Sequence, residues 1–492
     1  MIYRLFVLFI VLVFVGCKDQ QNLEEQSKIF FQPDVTSLIR NPCMGWGLYD
    51  DANGFVANAE DYWNKQDKAA RQYSSFFYIR WRWSAMEPEE GKYAWIYDEN
   101  YKKLIQGALD RGLKLCFRIY DNGQDNIEQG TPDFVRQAGA KGYLVRGFNE
   151  EQHWTPYADD PIFQEKLSNF VSAFAKEYDN PNVVDFVDGF NLGWWGEAHN
   201  IVLTGDIHGG DYSFKEKLLS VFEWYTSLYK KNFKKIIIAA PFDNEVGFMD
   251  EKRIVYDTKE YTMRRDGLGS QWFTAQQKSY AEGMYGEVPL IGEQCYWGGG
   301  DFTDPVYNFS SWREVYEQTY RDAVDYHFNT LDLRTVWDTE NWTGIATDLI
   351  KRFMIEGGYR IYPTELVLPN KVRQNESVLI NHTWCNIGCG YLPNNMKNWN
   401  YKYKVAFALL NENNKVVKMW IDHEAEPSEW LKDQKKSYEY KVVLNDVQSG
   451  NYKWAVAIID STNGTPGIKL AIKDNKMVNG WSIVGDCCVA DK

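Results

Sequence analysis

The chain has 492 residues, 44% hydrophobic and 25% charged, which excludes a disordered or fibrous protein and leaves ample length for a packed core in two or three domains. Its 54 Lys plus Arg against 68 Asp plus Glu give a net charge of −14, which repels phosphate backbones and excludes nucleic acid as an expected partner. Aromatic residues reach 16%, with 20 Trp; such rings bury large areas and also stack on the apolar faces of sugars.

The first element is a leader. After Arg4 comes an apolar run from Leu5 to Val15, too short to span a bilayer, followed by Gly16-Cys17. Val15-Gly16-Cys17 resembles a bacterial lipobox, in which the Cys thiol is acylated and becomes the mature N-terminus. The expectation is a lipoprotein signal over 1–17 with Cys17 lipidated, then a polar tether over 18–34. That implies a bacterial envelope protein held to the membrane by its lipid alone, on the periplasmic or the surface face of the outer membrane. The other seven cysteines are an odd number, so no complete disulfide framework is implied, although Cys385 and Cys389 could bridge. Cys116, inside an apolar run, reads as a small core residue. No His/Cys cluster has zinc spacing, and no metal or cofactor is expected.

From residue 35 short apolar runs alternate with amphipathic stretches. The spacing predicts strands at 44–49, 76–83, 113–120, 183–192, 235–240, 261–265, 288–292 and 331–336. Helical patterns lie between them at 98–111, 163–178, 214–232 and 312–327. Phe163, Leu167, Phe170, Val171 and Phe174 fall on one helical stripe. Eight strands alternating with helices predict an α/β fold, a (β/α)8 TIM barrel over 35–355. No Gly-rich phosphate loop follows the first strand, which argues against a doubly wound sheet. Beyond Gly357-Gly358 the texture changes to seven short strands at 365–368, 377–383, 402–410, 416–421, 438–444, 452–459 and 481–484. These predict an antiparallel β-sandwich over 360–490, an accessory domain without a catalytic cluster.

Barrel chemistry collects where strands end. The second strand runs into WRWSAMEPEEGKYAW, with Arg80 and Arg82 on one alternating face and Glu87 beyond. Glu87 reads as a residue that fixes its loop by hydrogen bonds. The fourth strand leads to Gly193-Trp194-Trp195-Gly196-Glu197-Ala198-His199, and the seventh to Gly292-Glu293-Gln294-Cys295-Tyr296-Trp297. Glu197 and Glu293 lie 96 residues apart, about three βα units, which suits carboxylates facing each other across the barrel mouth. Asp206, His208 and Asp211, in a Gly-rich loop, read as turn-formers rather than cation ligands. Asp338 and Glu340 follow the eighth strand, beside Trp337.

The pattern W-x-x-x-E-P-x-x-G-x-Y-x-W after the second strand resembles the retaining glycoside hydrolases of clan A, particularly β-galactosidase-like barrels. That resemblance implies an acid/base Glu after the fourth strand and a nucleophile Glu after the seventh, here Glu197 and Glu293. The opening Asn41-Pro42-x-x-Gly45-Trp46, the Gly193-x-Trp195-Gly196-Glu197 element and the C-terminal β domain resemble, more narrowly, a family of Bacteroidota-type glycosidase-like lipoproteins. The clan has Asn before the acid/base Glu; here that position is Gly196, with Asn191 and Asn200 nearby. The resemblance implies a cofactor-free glycoside hydrolase acting on an oligo- or polysaccharide. Arg80, Trp46, Trp194, Trp195, His199, Trp297, Trp337, Asp338 and Glu340 are the expected substrate contacts, Arg80 also orienting Glu293. Two other readings stay open: a non-catalytic glycan-binding surface lipoprotein on the same barrel, and a scaffold or adhesion protein.

Overall fold

The structure, a computed structural model, describes residues 26–50, 56–122, 129–147, 150–190, 192–205, 215–242, 252–297, 300 and 302–491. Cys17, the leader and the Asp206, His208 and Asp211 group lie outside the described residues. So does Asn191.

Eight parallel strands close a barrel in chain order: Gly45–Tyr49, Ser74–Arg82, Lys114–Tyr120, Val184–Asp188, Ile237–Pro241, Tyr261–Leu268, Leu290–Gln294 and Thr330–Asp332. The eighth pairs back onto the first, Leu331 against Trp46. Every predicted strand has its counterpart, and the main helices follow. Pro161–Tyr178 begins with Asp160 accepting from the backbone N–H groups of Ile162 and Phe163, and its predicted apolar stripe is buried. Glu99–Asp110 starts the same way, under Asp98. On the first strand Trp46 and Leu48 point out to the helix layer, while Tyr49 points into the barrel with Tyr78.

The C-terminal part differs from the expected wholly antiparallel arrangement. One sheet is antiparallel, ordered Gln26–Phe30, Ile361–Pro369, Ser377–Asn386, Lys435–Val443. The other is mixed, because Lys371–Arg373 runs parallel to the final strand Trp481–Ala490. Only Asn370 separates Ile361–Pro369 from Lys371–Arg373, so the chain passes directly from one sheet to the other. A second correction concerns the tether: residues 26–30 are an edge strand of the first sheet, with Lys28 and Glu365 paired at 2.9 Å. The C-terminal unit therefore draws on residues well outside 360–490.

This unit packs on the floor of the barrel, where the strands begin. Asn398 donates to the carbonyls of Phe233 and Ile236 just before the fifth strand, and Asn395 to those of Gly286 and Glu287 just before the seventh. Asn329 donates to Cys43 and Tyr391. Barrel-interior Phe76, Cys116 and Phe186 share one buried apolar cluster with Leu366, Trp384 and Phe407 of the sheets. The opposite end, where the strands finish, is left to the site. Cys385 and Cys389 are buried free thiols.

Candidate active site

Period-2 alternation carries charged side chains inward near the strand ends: Arg80 on the second strand, Arg118 on the third, Asp188 on the fourth, Arg264 on the sixth, Glu293 on the seventh and Asp332 on the eighth. All are buried. A buried ion is tolerated only when its partners satisfy it, and these residues satisfy one another. Arg118 bonds Glu197 at 2.5 Å and Asp188 at 2.8 Å. Arg264 lies 3.5 Å from the same Asp188 and bonds Glu293. Arg334 reaches Glu293 at 2.8 Å from the far side. Tyr78 donates its hydroxyl to Asp188 and lies under the Arg264 guanidinium at 4.5 Å, while Tyr49 accepts from Arg264 at 2.6 Å. One continuous chain of ion pairs thus joins Glu197 to Glu293 through Asp188.

Glu197 is delivered by a tight loop. Trp194 and His199 pair across it, Trp194 N–H donating to the His199 carbonyl at 2.8 Å. Trp195, Gly196 and Ala198 are all left-handed. Gly193 is left-handed too, and a Cβ there would stand 2.4 Å from the His199 carbonyl oxygen, so no other residue closes this loop. Left-handed residues other than Gly are costly and collect at functional loops.

The two glutamates face opposite electrostatics. Burial raises the pKa of Glu197, and nearby Asp266 and Glu293 add to that, against the opposing pull of Arg118 and Arg80. Burial works on Glu293 as well, but there Arg264 and Arg334, with Arg80 and Arg118 beyond, prevail and hold its carboxyl well below the usual range. Beside it Asp332 is pushed up to about 7 by burial and by the Glu293 charge. Glu197 also lines a small open cleft with Arg118, Phe242, Arg264, Arg265 and Asp266.

The structure brings Arg80, Glu197, His199 and Glu293 into one mouth. Arg80 lies 3.5 Å from Glu197, and its charge also helps hold Glu293 ionised. His199 Nε2 stands 3.9 Å from Glu197, and Trp195 packs edge-on against His199. Trp194 is half-buried, with its indole N–H unpartnered. Trp46 is not a site residue: it is fully buried in the helix layer, donating to the Ile350 carbonyl and packing edge-on against Trp342 and Phe353. Trp297 is buried against Phe302 and Phe309. Trp337 is half exposed beside Trp312, and Glu340 is exposed. Asp338 lies in the first turn of the helix Val336–Ile345, accepting from the hydroxyl of the capping Thr335, and its charge acts on Arg334. Glu87 fixes its loop, accepting from the Trp83 indole and from Gly91 N–H, both at 2.8 Å.

Arg118, Asp188, Arg264, Arg334, Tyr49, Tyr78 and Asp332 escaped the sequence reading. The signal was present for three of them: a charge inside an apolar run, as in Phe117-Arg118-Ile119, Phe186-Val187-Asp188 and Met263-Arg264, is an inward-facing residue that needs a partner.

No known protein family matches the chain, and no curated protein matches its sequence. Among solved structures it is similar to the catalytic domain of β-amylase from Paenibacillus polymyxa, at 12% identity and a TM-score of 0.42, over 64% of this chain and 98% of that one. It is similar to endo-glycoceramidase II from Rhodococcus sp. at 12% identity and a TM-score of 0.40, over 82% of this chain and 99% of that one. A third is the β-galactosidase of Marinomonas ef1, at 9% identity and a TM-score of 0.38, over 67% of this chain and 63% of that one.

Proposed function

We propose that the protein is a retaining glycoside hydrolase with Glu197 as general acid/base and Glu293 as nucleophile. The observation that carries this reading is the pair of buried carboxylates near the ends of the fourth and seventh strands, with burial raising the pKa of Glu197 and Arg264 and Arg334 lowering that of Glu293. Retaining cleavage needs one carboxyl that holds a proton for the leaving oxygen and one that stays ionised to attack the anomeric carbon. Glu197 gives its proton to the departing oxygen while Glu293 forms the glycosyl–enzyme bond. Glu197 then takes a proton from water, whose oxygen displaces Glu293. Arg264 and Arg334 keep Glu293 ionised.

The test is kinetic. Glu197→Ala should keep turnover of aryl glycosides with good leaving groups and yield a glycosyl azide of retained configuration when azide is added. Glu293→Gly should give azide product of inverted configuration. Swapped products would reverse the roles, and unchanged activity in both variants would reject the site.

One contact favours a second reading, a glycan-binding protein that does not hydrolyse. Arg118 at 2.5 Å stabilises Glu197 as an ion and works against its use as an acid. Binding of a glycan panel by the wild type with no product from any member would establish that reading instead. We further propose lipidation at Cys17 in a bacterial envelope, which radiolabelled palmitate incorporated by the wild type and not by Cys17→Ser would support.

A further inference from the structure

Arg118, on the third strand, bonds two carboxylates at once: its Nε donates to Asp188 at 2.8 Å and its Nη1 to Glu197 at 2.5 Å. Arg264, on the sixth strand, is shared in the same way. Its Nε lies 3.5 Å from the same Asp188 oxygen, and its Nη2 bonds Glu293. The Tyr78 hydroxyl donates to that oxygen as well, and the Tyr78 ring lies 5.9 Å from the Arg118 guanidinium and 4.5 Å from that of Arg264. The Asp188 side chain is wholly buried, and those of Arg118 and Arg264 are exposed by 1% and 3%, so water does not replace a partner lost here.

The two glutamates do not both keep one charge state through a retaining turnover. Before cleavage Glu197 carries a proton and Glu293 is the anion. In the first step the Glu197 O–H bond breaks as its proton passes to the leaving oxygen, and a Glu293 oxygen bonds the anomeric carbon as that carbon releases the leaving group. Glu293 is then an ester and Glu197 the anion. The total charge is unchanged, but it has crossed the mouth from one carboxyl to the other. Each state strips a buried guanidinium of a charged partner: Arg118 meets a neutral Glu197 in the first, Arg264 a neutral ester in the second. A buried ion left without its partner is strongly destabilising. Asp188 touches both guanidiniums and takes no part in the exchange. We propose that Asp188 is a positioning residue, the standing counter-ion that keeps Arg118 and Arg264 in place while Glu197 and Glu293 exchange charge, an inference that rests on the glycosidase reading for the exchange itself. Without Asp188, Arg118 draws its counter-charge from Glu197 and holds that carboxyl as an ion, which disarms the acid.

Asp188→Asn keeps the shape and removes the charge. Infrared difference spectra of the full chain, each taken against its Glu197→Gln counterpart, follow the Glu197 titration without a substrate. Asp188→Asn should lower the Glu197 midpoint by about one unit, because the anion that competes for Arg118 is gone. On an aryl glycoside the alkaline limb of kcat/KM should move down with it, and kcat should fall at least about tenfold while KM stays within about twofold. A role in packing alone would lower stability and leave the midpoint in place. If that variant fails to fold, Arg118→Gln and the charge-balanced Arg118→Gln/Asp188→Asn carry the test: with Arg118 absent, the second substitution should move the midpoint by less than about half a unit. A midpoint unmoved or raised by Asp188→Asn, or a larger shift in the Arg118→Gln background, would overturn the proposal. A lowered midpoint in a protein that hydrolyses no glycoside would reject the glycosidase reading and leave the link from Asp188 through Arg118 intact. Hydrolysis with an unmoved midpoint would reject the role of Asp188 alone.

Discussion

Glu293 illustrates how charge placement, rather than residue type, sets chemistry. Its two direct partners are guanidiniums that cannot be deprotonated, so the carboxylate stays ionised far into acid. In the proposed mechanism Glu197, whose pKa burial raises above the ordinary value, must hold a proton to act as the acid. Activity should therefore persist below the usual Glu range and fall on the alkaline side as Glu197 ionises. Arg334→Ala removes one of the two guanidiniums, and the acid limb of kcat/KM against pH should move up by about one unit. An unmoved limb would mean that Glu293 does not control it. The same group governs stability: with a depressed folded pKa, its contribution is present above about pH 4.3 and lost as pH falls toward the folded value. Trp46, by contrast, belongs to packing. Trp46→Ala should cost about 3–5 kcal/mol in denaturant unfolding while leaving KM for any turned-over glycoside unchanged.

The elements were legible because their periodicities are strong. All eight barrel strands and the helices Glu99–Asp110, Pro161–Tyr178, Lys215–Asn232 and Trp312–Asp325 announce themselves through apolar runs and stripes that tertiary packing then reinforces, whereas Ala59–Gln72 and Ala275–Met284 do not. The burial of Glu197 and Glu293 near strand ends was legible for a related reason, since each lies in or just after an apolar run with Trp close by in sequence. The arginines were not, because an isolated charge in a strand does not reveal which carboxylate it meets several strands away. Trp46 failed for the opposite reason: a motif position suggested the site, but alternation along Gly45–Tyr49 sends its side chain outward. The strand at residues 26–30 was missed because its charged and polar residues suit an exposed edge as well as a tether. The loop carrying Glu197 makes its own prediction. Gly193→Ala should lower kcat at least tenfold and leave the unfolding midpoint within a few degrees, because the clash falls on His199 rather than on the core. A larger loss of stability with intact kcat would show that the loop does not position Glu197.

Across the whole molecule, the barrel floor is closed by the two-sheet unit and the other end holds the charged network. At that floor Asp185, on the fourth strand, accepts the Cys43 N–H with both oxygens at 2.8 Å, and burial pushes it up to about 6. A raised carboxyl favours folding while protonated, so its contribution is full below about pH 3.9 and lost as pH rises through 6. Asp185→Asn should flatten the pH dependence of unfolding between 4 and 6, a change visible in urea midpoints. Chains beginning at residue 31 instead of 26 should melt about 2–5 °C lower, with catalysis unchanged, since the lost edge strand lies at the end away from the site.

That edge strand also fixes a distance. Only eight residues separate Cys17 from Gln26, a span of at most about 32 Å even when fully extended. A lipid on Cys17 would therefore hold Gln26, and with it the edge strand of the two-sheet unit, within about that distance of the bilayer.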